Sequence, residues 1–140
     1  LAGERIPHSR GLEGHSDGDV ILHAVADAIL GALGEGDLGR HFPSSDATLE
    51  GIDSRHLLAR VVALMEERGG VLANLDCTLI AEAPRLAVHQ PGMEKNLADL
   101  LSVPAERINL KLKSADGIGA LGREEGMAAL AVVLIEGVGK

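Results

Sequence analysis

A chain of 140 residues with 13 Lys plus Arg against 21 Asp plus Glu carries a formal charge of −8. Its 46% hydrophobic and 24% charged residues describe one folded domain and exclude wholesale disorder. The acid excess argues against a nucleic-acid or anionic-membrane partner, no run approaches the ~20 apolar residues of a membrane span, and no secretory signal opens the chain.

No linker, repeat or low-complexity run divides the sequence, so residues 1–140 read as a single domain. Asp19 to Gly34 is apolar nearly all round and predicts a buried helix. Asp53 or Ser54 can cap a second helix, whose Leu57, Leu58, Val61, Val62 and Met65 share one face before Gly69-Gly70 ends it. From Val71 to Ala81 the pattern has period two. Val71, Ala73, Leu75, Cys77 and Leu79 point one way and Leu72, Asn74, Asp76, Thr78 and Ile80 the other, as in a half-buried strand. Pro84 closes that strand, and Pro91 to Ser102 suits a helix begun by proline. Ile108, Leu110 and Leu112 alternate with Asn109, Lys111 and Lys113 in another strand. A glycine-rich loop from Gly117 to Gly126 leads into an apolar strand, Met127 to Val138, whose alanines would also permit a helix. Strands alternating with helices predict an α/β or α+β sandwich, a small mixed sheet covered on one face by helices. Phe42 is the sole aromatic residue, so aliphatic side chains must fill the core and no site can be lined by stacked rings. The single cysteine, Cys77, cannot form an internal disulfide and fits a reducing compartment.

The segment His15 to Asp27, HSDGDVILHAVAD, carries the most chemistry. Asp19, His23 and Asp27 are four apart and drift only about 40° per step around a helix. They form one polar stripe on a greasy helix, at a cost unless they pair or hold a metal. Two readings stand: a hydrogen-bonded Asp–His–Asp ladder, or His23 as a metal ligand oriented by Asp19 and Asp27. One histidine cannot hold zinc by itself, and His8, His41, His56 and His89 are scattered as surface residues are. His15-Ser16 precedes the helix start, where free N–H groups favour a phosphate, although Ser16 or Asp17 serving as a plain cap explains it too. The loop KSADGIGALGREEG, Lys113 to Gly126, offers backbone amides for a phosphate and Asp116 for a hard divalent cation. It is neither a P-loop nor a Rossmann fingerprint.

Taken in order, HSDGDVILHAVADAILGALGEGDLGRHFP, then AEAP at Ala81 to Pro84, then the glycine loop ending GREEG, resemble the 2-C-methyl-D-erythritol 2,4-cyclodiphosphate synthases. That resemblance runs through the whole chain and implies a lyase of non-mevalonate isoprenoid biosynthesis. Such an enzyme turns 4-diphosphocytidyl-2-C-methyl-D-erythritol 2-phosphate into the cyclic diphosphate and CMP. It implies a homotrimer with active sites between subunits, zinc plus magnesium or manganese as cofactors, and no nucleic-acid or membrane partner. A bacterial cytoplasm is the expected location, with plastid stroma second.

Carried onto this sequence, the resemblance makes His15 and Ser114 the residues that help the transition state. His23 becomes the zinc ligand, with Asp19 and Asp27 behind it, and Asp116 the ligand of magnesium or manganese. Asp37, Leu38 and Gly39 would meet the methylerythritol part with Ser16, beside a loop of Phe42, Pro43, Ser44, Ser45 and Asp46. Ala81, Glu82, Ala83, Pro84, Arg85, Leu86 and Ala87 would form a cytidine pocket given by a neighbouring subunit. Lys113, Ala115 and Asp116 would hold the nucleotide's phosphates, with Arg123 a further phosphate contact and Ala120 near the trimer axis.

Several positions depart from the family pattern. The usual Thr-Thr-Thr-Glu is Lys-Ser-Ala-Asp at Lys113 to Asp116, Ala120 replaces a phenylalanine, and Glu50 stands where lysine is common. In the family an Asp-x-His zinc pair lies on an opening strand, which this sequence, starting at LAGERIP, does not contain. Either that strand was lost or the protein is a relative that does not bind zinc. The expectation is that the chain is a piece lacking that strand and binding zinc weakly. Two rivals follow: a catalytically silent trimeric cytidine-nucleotide-binding relative, and a metal phosphohydrolase.

Overall fold

The computed structural model of this chain describes residues 1–139. Helix α1 spans Val20–Leu33, begun by the Asp19 side chain accepting the Leu22 N–H and ended by Gly34 in the left-handed region at φ +72°. Its Ile21, Leu22, Val25, Ala26, Ile29 and Leu30 are buried. Asp27, Gly31 and Ala32 are exposed, so the helix is sealed on one broad face and not all round. One turn, α2, covers Leu38–His41 with Asp37 as its cap. Helix α3 is Ser54–Glu67, capped by Asp53, and buries the expected Leu57, Leu58, Val61, Val62 and Met65.

Strand β1 runs Val71–Ile80 and helix α4 Gln90–Leu101, with a proline in its first turn. Strand β2 is Ile108–Lys113, the turn α5 is Gly119–Gly122, and β3 is Ala128–Glu136. The alanine-rich last segment is therefore a strand, because it pairs along β1 from Ile80–Ala128 to Val71–Glu136. Sheet order is β2-β1-β3, with β1 parallel to β2 and antiparallel to β3. The sheet is mixed and carries its helices on one face. Leu75, Cys77, Leu79, Ile108 and Leu110 are buried with the α1, α3 and α4 side chains in one core.

Expected alternation along β1 holds from Leu75 onward and reverses before it. Val71 is 56% exposed while Leu72 is fully buried. The register shifts between Leu72 and Asn74, so Ala73 is an inserted residue that turns every earlier side chain to the other face.

On the uncovered face, β3 presents Leu130, Val132 and Leu134, which are 60%, 69% and 56% exposed. Beside them Asp76 accepts hydrogen bonds from Asn109 and Lys111, both at 2.8 Å. Those partners, Lys111 first, hold the Asp76 carboxyl below the usual range. Among the described residues no helix is long and apolar enough to cross a membrane.

Burial pushes the Cys77 thiol up to about 11. In the native protein at pH 8, Cys77 should resist iodoacetamide for hours, and it should react within minutes once urea unfolds the chain. Alkylation at equal rates in the two conditions, read by intact mass, would place the thiol at the surface.

Candidate active site

A cavity of about 1190 Å³ opens between the stretch before α1, the α2 region and the loop after α5. His15, Ser16 and His23 line it together with Leu38, Gly39, Phe42, Pro43, Ser44 and Ser45. Glu82, Ala83 and Arg123 stand on the other wall. These residues span more than a hundred positions and meet because α1 projects His23 outward while the loops at both its ends fold over it.

His23 is half-buried, and its Nε2 lies 3.0 Å from Ser16 Oγ and 2.9 Å from Ser54 Oγ. The ladder of hydrogen bonds from Asp19 through His23 to Asp27 does not form. Asp19 is 6% exposed and spends both oxygens on backbone, accepting from Leu22, Ala2 and Gly3. Asp27 is exposed and accepts the Leu38 N–H at 2.7 Å. Neither carboxylate orients the imidazole. Asp19 starts the helix, and Asp27 pins α2 so that Leu38 and Gly39 form cavity wall. The drift along the stripe fits this, since the three positions run from buried Asp19 through half-buried His23 to exposed Asp27.

Asp19, rather than Ser16 or Asp17, caps α1, and its carboxylate occupies the place where an anion would sit. Asp17 does something else. It accepts the backbone N–H of Ser54 at 3.1 Å and the Ser54 hydroxyl at 2.5 Å.

Asp37 lies outside the lining because it caps α2, accepting the Arg40 N–H at 2.9 Å. Asp46 is likewise a corner residue. It accepts from the Thr48 hydroxyl at 2.6 Å and from the Thr48 N–H, which together hold its carboxyl below the usual range.

The two segments expected to hold the nucleotide do meet each other. Parallel pairing of Ile80 with Lys113 ends β1 and β2 side by side, and Ala81 donates its N–H to the Lys113 carbonyl at 2.9 Å. Glu82 then accepts the Ala115 N–H at 3.1 Å. Within this segment Leu86 is a core residue at 6% exposure, Arg85 and Ala87 are exposed, and Pro84 lines a neighbouring cavity of about 280 Å³.

Lys113, Ser114, Asp116 and Ala120 are not in the lining that holds His15 and His23. Ser114 donates its hydroxyl to Asp116 at 2.9 Å, and Asp116 has φ +51°. The Ser114–Asp116 loop thus stands outside the lining of the His23 cavity and adjoins its wall through Glu82. The turn between them is tight, because a Cβ on Gly122 would stand 2.2 Å from the Gly117 carbonyl carbon.

Arg123 enters the cavity wall with its guanidinium forked onto Glu125 at 2.8 and 3.2 Å. Arg10 pairs with Glu124 at the same rim. Both pairs are exposed and worth little. Sequence reading missed His8, Arg10 and Glu124 in the lining, since their approach depends on a loop fold that no spacing encodes.

Among the described residues no three His, Cys, Asp or Glu side chains converge as a metal site. His23 offers one ring nitrogen and Asp116 one exposed carboxylate, so these residues by themselves do not fit a zinc or magnesium shell.

Against known proteins, the model of the YgbB family matches residues 1–136. The chain is 52% identical over 136 residues to the 2-C-methyl-D-erythritol 2,4-cyclodiphosphate synthase of Geotalea uraniireducens (strain Rf4), covering 97% of this chain and 87% of that one. It matches the bifunctional IspDF of Campylobacter jejuni with a TM-score of 0.91 at 39% identity, over 96% of this chain and 36% of the longer one. A 2C-methyl-D-erythritol-2,4-cyclodiphosphate synthase in its CDP-bound form gives a TM-score of 0.88 at 36% identity, over 96% of this chain and 87% of that chain.

Proposed function

We propose, since this chain belongs to the YgbB family, that it forms 2-C-methyl-D-erythritol 2,4-cyclodiphosphate and CMP from the cytidine diphosphate precursor. The observation that carries the proposal is the shared cavity, with His15, Ser16 and His23 on one wall and Glu82, Ala83 and Arg123 on the other. In the reaction an oxygen of the 2-phosphate attacks the β-phosphorus. A new P–O bond forms there, the bond to the bridging oxygen breaks, and CMP leaves with that electron pair.

The difficulty is electrostatic. A phosphate monoester is largely dianionic at neutral pH, so attacker and target repel. Two unit charges at 4 Å oppose each other by roughly 4 kcal/mol at an effective dielectric near 20, a factor of roughly a thousand in rate. His15 and Arg123, which line the cavity, supply local donors that an overall acidic chain otherwise lacks. Zinc and a second cation, magnesium or manganese, belong to the proposal on the same need for positive charge. Elemental analysis tests zinc, and a full equivalent on this 140-residue chain would contradict the expectation that it binds zinc weakly.

A bacterial cytoplasm is the proposed setting, in keeping with the bacterial relatives. The family's CDP-bound member supports a cytidine nucleotide as ligand. A homotrimer would bring the Ser114–Asp116 loop of one copy to the His23 cavity of the next. The exposed Leu130, Val132 and Leu134 support such an assembly, because a patch of this kind gains about 1.5–3 kcal/mol for each side chain fully covered. Light scattering should give three times the chain mass for the native protein and one chain mass for Val132→Asp. A monomeric native protein at micromolar concentration would remove the trimer.

The functional test supplies the cytidine diphosphate precursor in water enriched in ¹⁸O. Equimolar CMP and a cyclic diphosphate free of ¹⁸O are expected. Binding of CDP without CMP release would establish the silent relative instead, and ¹⁸O in the product would establish the phosphohydrolase.

A further inference from the structure

We infer that Ser54, anchored by Asp17, is a positioning residue that decides which nitrogen of His23 faces the cavity with a lone pair. Ser54 opens α3 and is 1% exposed. Its N–H donates to Asp17 Oδ2 at 3.1 Å and its hydroxyl to Asp17 Oδ1 at 2.5 Å. A carboxylate only accepts, so the single hydrogen of the Ser54 hydroxyl is committed. Asp17 is held in its turn, accepting the Asp19 N–H at 3.1 Å and donating its own N–H to the Ile52 carbonyl at 3.1 Å.

His23 Nε2 lies 2.9 Å from this Ser54 oxygen, which has only lone pairs left to offer. Nε2 is therefore the N–H of the ring, and the neutral imidazole carries its lone pair on Nδ1. In the opposite tautomer two lone pairs would face each other at that distance. Ser16 Oγ, 3.0 Å from Nε2, can donate or accept and does not choose between the two states. Ser54 chooses because Asp17 has taken its hydrogen.

Among the described residues Nδ1 has no hydrogen-bond partner, and no buried side-chain nitrogen or oxygen lacks one. Nδ1 is thus open, on a residue that lines the cavity. Toward a ligand, His23 presents an acceptor, suited to a cation or to a ligand N–H or O–H. A bare phosphate oxygen would meet repulsion there. This inference deepens the proposed function, on which its catalytic consequence rests, while the tautomer itself does not depend on that reading.

Long-range ¹H–¹⁵N spectra of the full chain labelled at histidine, without metal and above the imidazole titration, read the tautomer directly. His23→Gln assigns the signal. The native protein should show the Nε2–H pattern. Ser54→Ala should shift it toward Nδ1–H, because Ser16 then becomes free to donate to Nε2. Asp17→Ala should do the same by releasing the Ser54 hydrogen, and Ser54→Thr should restore the native pattern.

CMP release should fall about 10- to 100-fold in Ser54→Ala and recover in Ser54→Thr. A native Nδ1–H pattern, or an Nε2–H pattern that survives both alanine variants, overturns the inference. Absence of CMP release alongside the expected spectra would count against the proposed function alone. If Ser54→Ala loses its circular dichroism signal, Asp17→Ala and Ser54→Thr decide the matter.

Discussion

His23→Ala should lower CMP release by at least about a thousandfold while leaving the fold intact. The size follows from charge. If His23 helps hold the group that offsets repulsion between attacking and receiving phosphates, its loss restores a barrier of roughly 4 kcal/mol. The fold should survive because His23 is half-buried in the body of α1, where alanine is the better helix former. What the core loses is the Nε2 hydrogen bond to Ser54 and Ser16, about 1 kcal/mol. His23→Gln separates the two contributions, since its amide can still donate toward Ser54 but offers no ring nitrogen to the cavity. Both variants should melt within a few degrees of the native protein and release no measurable CMP. Activity of His23→Ala within tenfold of native would remove the residue from the chemistry.

Asp19→Ala should destabilise the protein by about 2–4 kcal/mol, seen as a lower urea midpoint at unchanged slope. Asp19 accepts from the Leu22 N–H at 3.1 Å and from the Ala2 and Gly3 N–H groups at 2.9 Å each, almost out of water. Loss of a helix cap costs about 0.5–2 kcal/mol, and each buried donor left unpaired adds about 1–3 kcal/mol before the site relaxes. Asp19→Asn keeps an accepting oxygen for Leu22 and should cost about 1 kcal/mol. These effects belong to folding, so both variants should retain native turnover per folded molecule at low temperature. A midpoint for Asp19→Ala within about 0.5 kcal/mol of native would show that the cap does not hold α1.

The two variants divide what one stripe on a helix had joined. Four-residue spacing puts Asp19, His23 and Asp27 on the same side of α1, and that much is a property of helical geometry alone. Which of them pair, and with what, depends on neighbours that no local spacing contains. Asp19 meets the backbone of Ala2 and Gly3, Asp27 meets the backbone of Leu38, and His23 meets a serine 31 positions away. Ser54 reads in the sequence as a plausible helix cap. Its true cap is Asp53, and only the approach of Asp17 gives the serine a second task.

Strand β1 teaches the same lesson. Its alternation correctly marks Leu75, Cys77 and Leu79 as core residues, yet fails at Val71 and Leu72. The extra residue at Ala73 is visible only once β1 is laid against β3 and the register slips between Leu72 and Asn74.

Periodicity, caps and glycine or proline stops were enough to place the three long helices and the first two strands, because those signals act within a few positions along the backbone. The shared segments HSDGDVILHAVAD and GREEG likewise sufficed for kinship. Tertiary structure alone decided that His15 and His23 share a cavity with Arg123 while Ser114 and Asp116 stay outside it. It alone made the serine opening α3 the partner of the imidazole. The reason is physical: distance along a chain places no limit on hydrogen-bond partners, and burial is set by how helices and sheet press together.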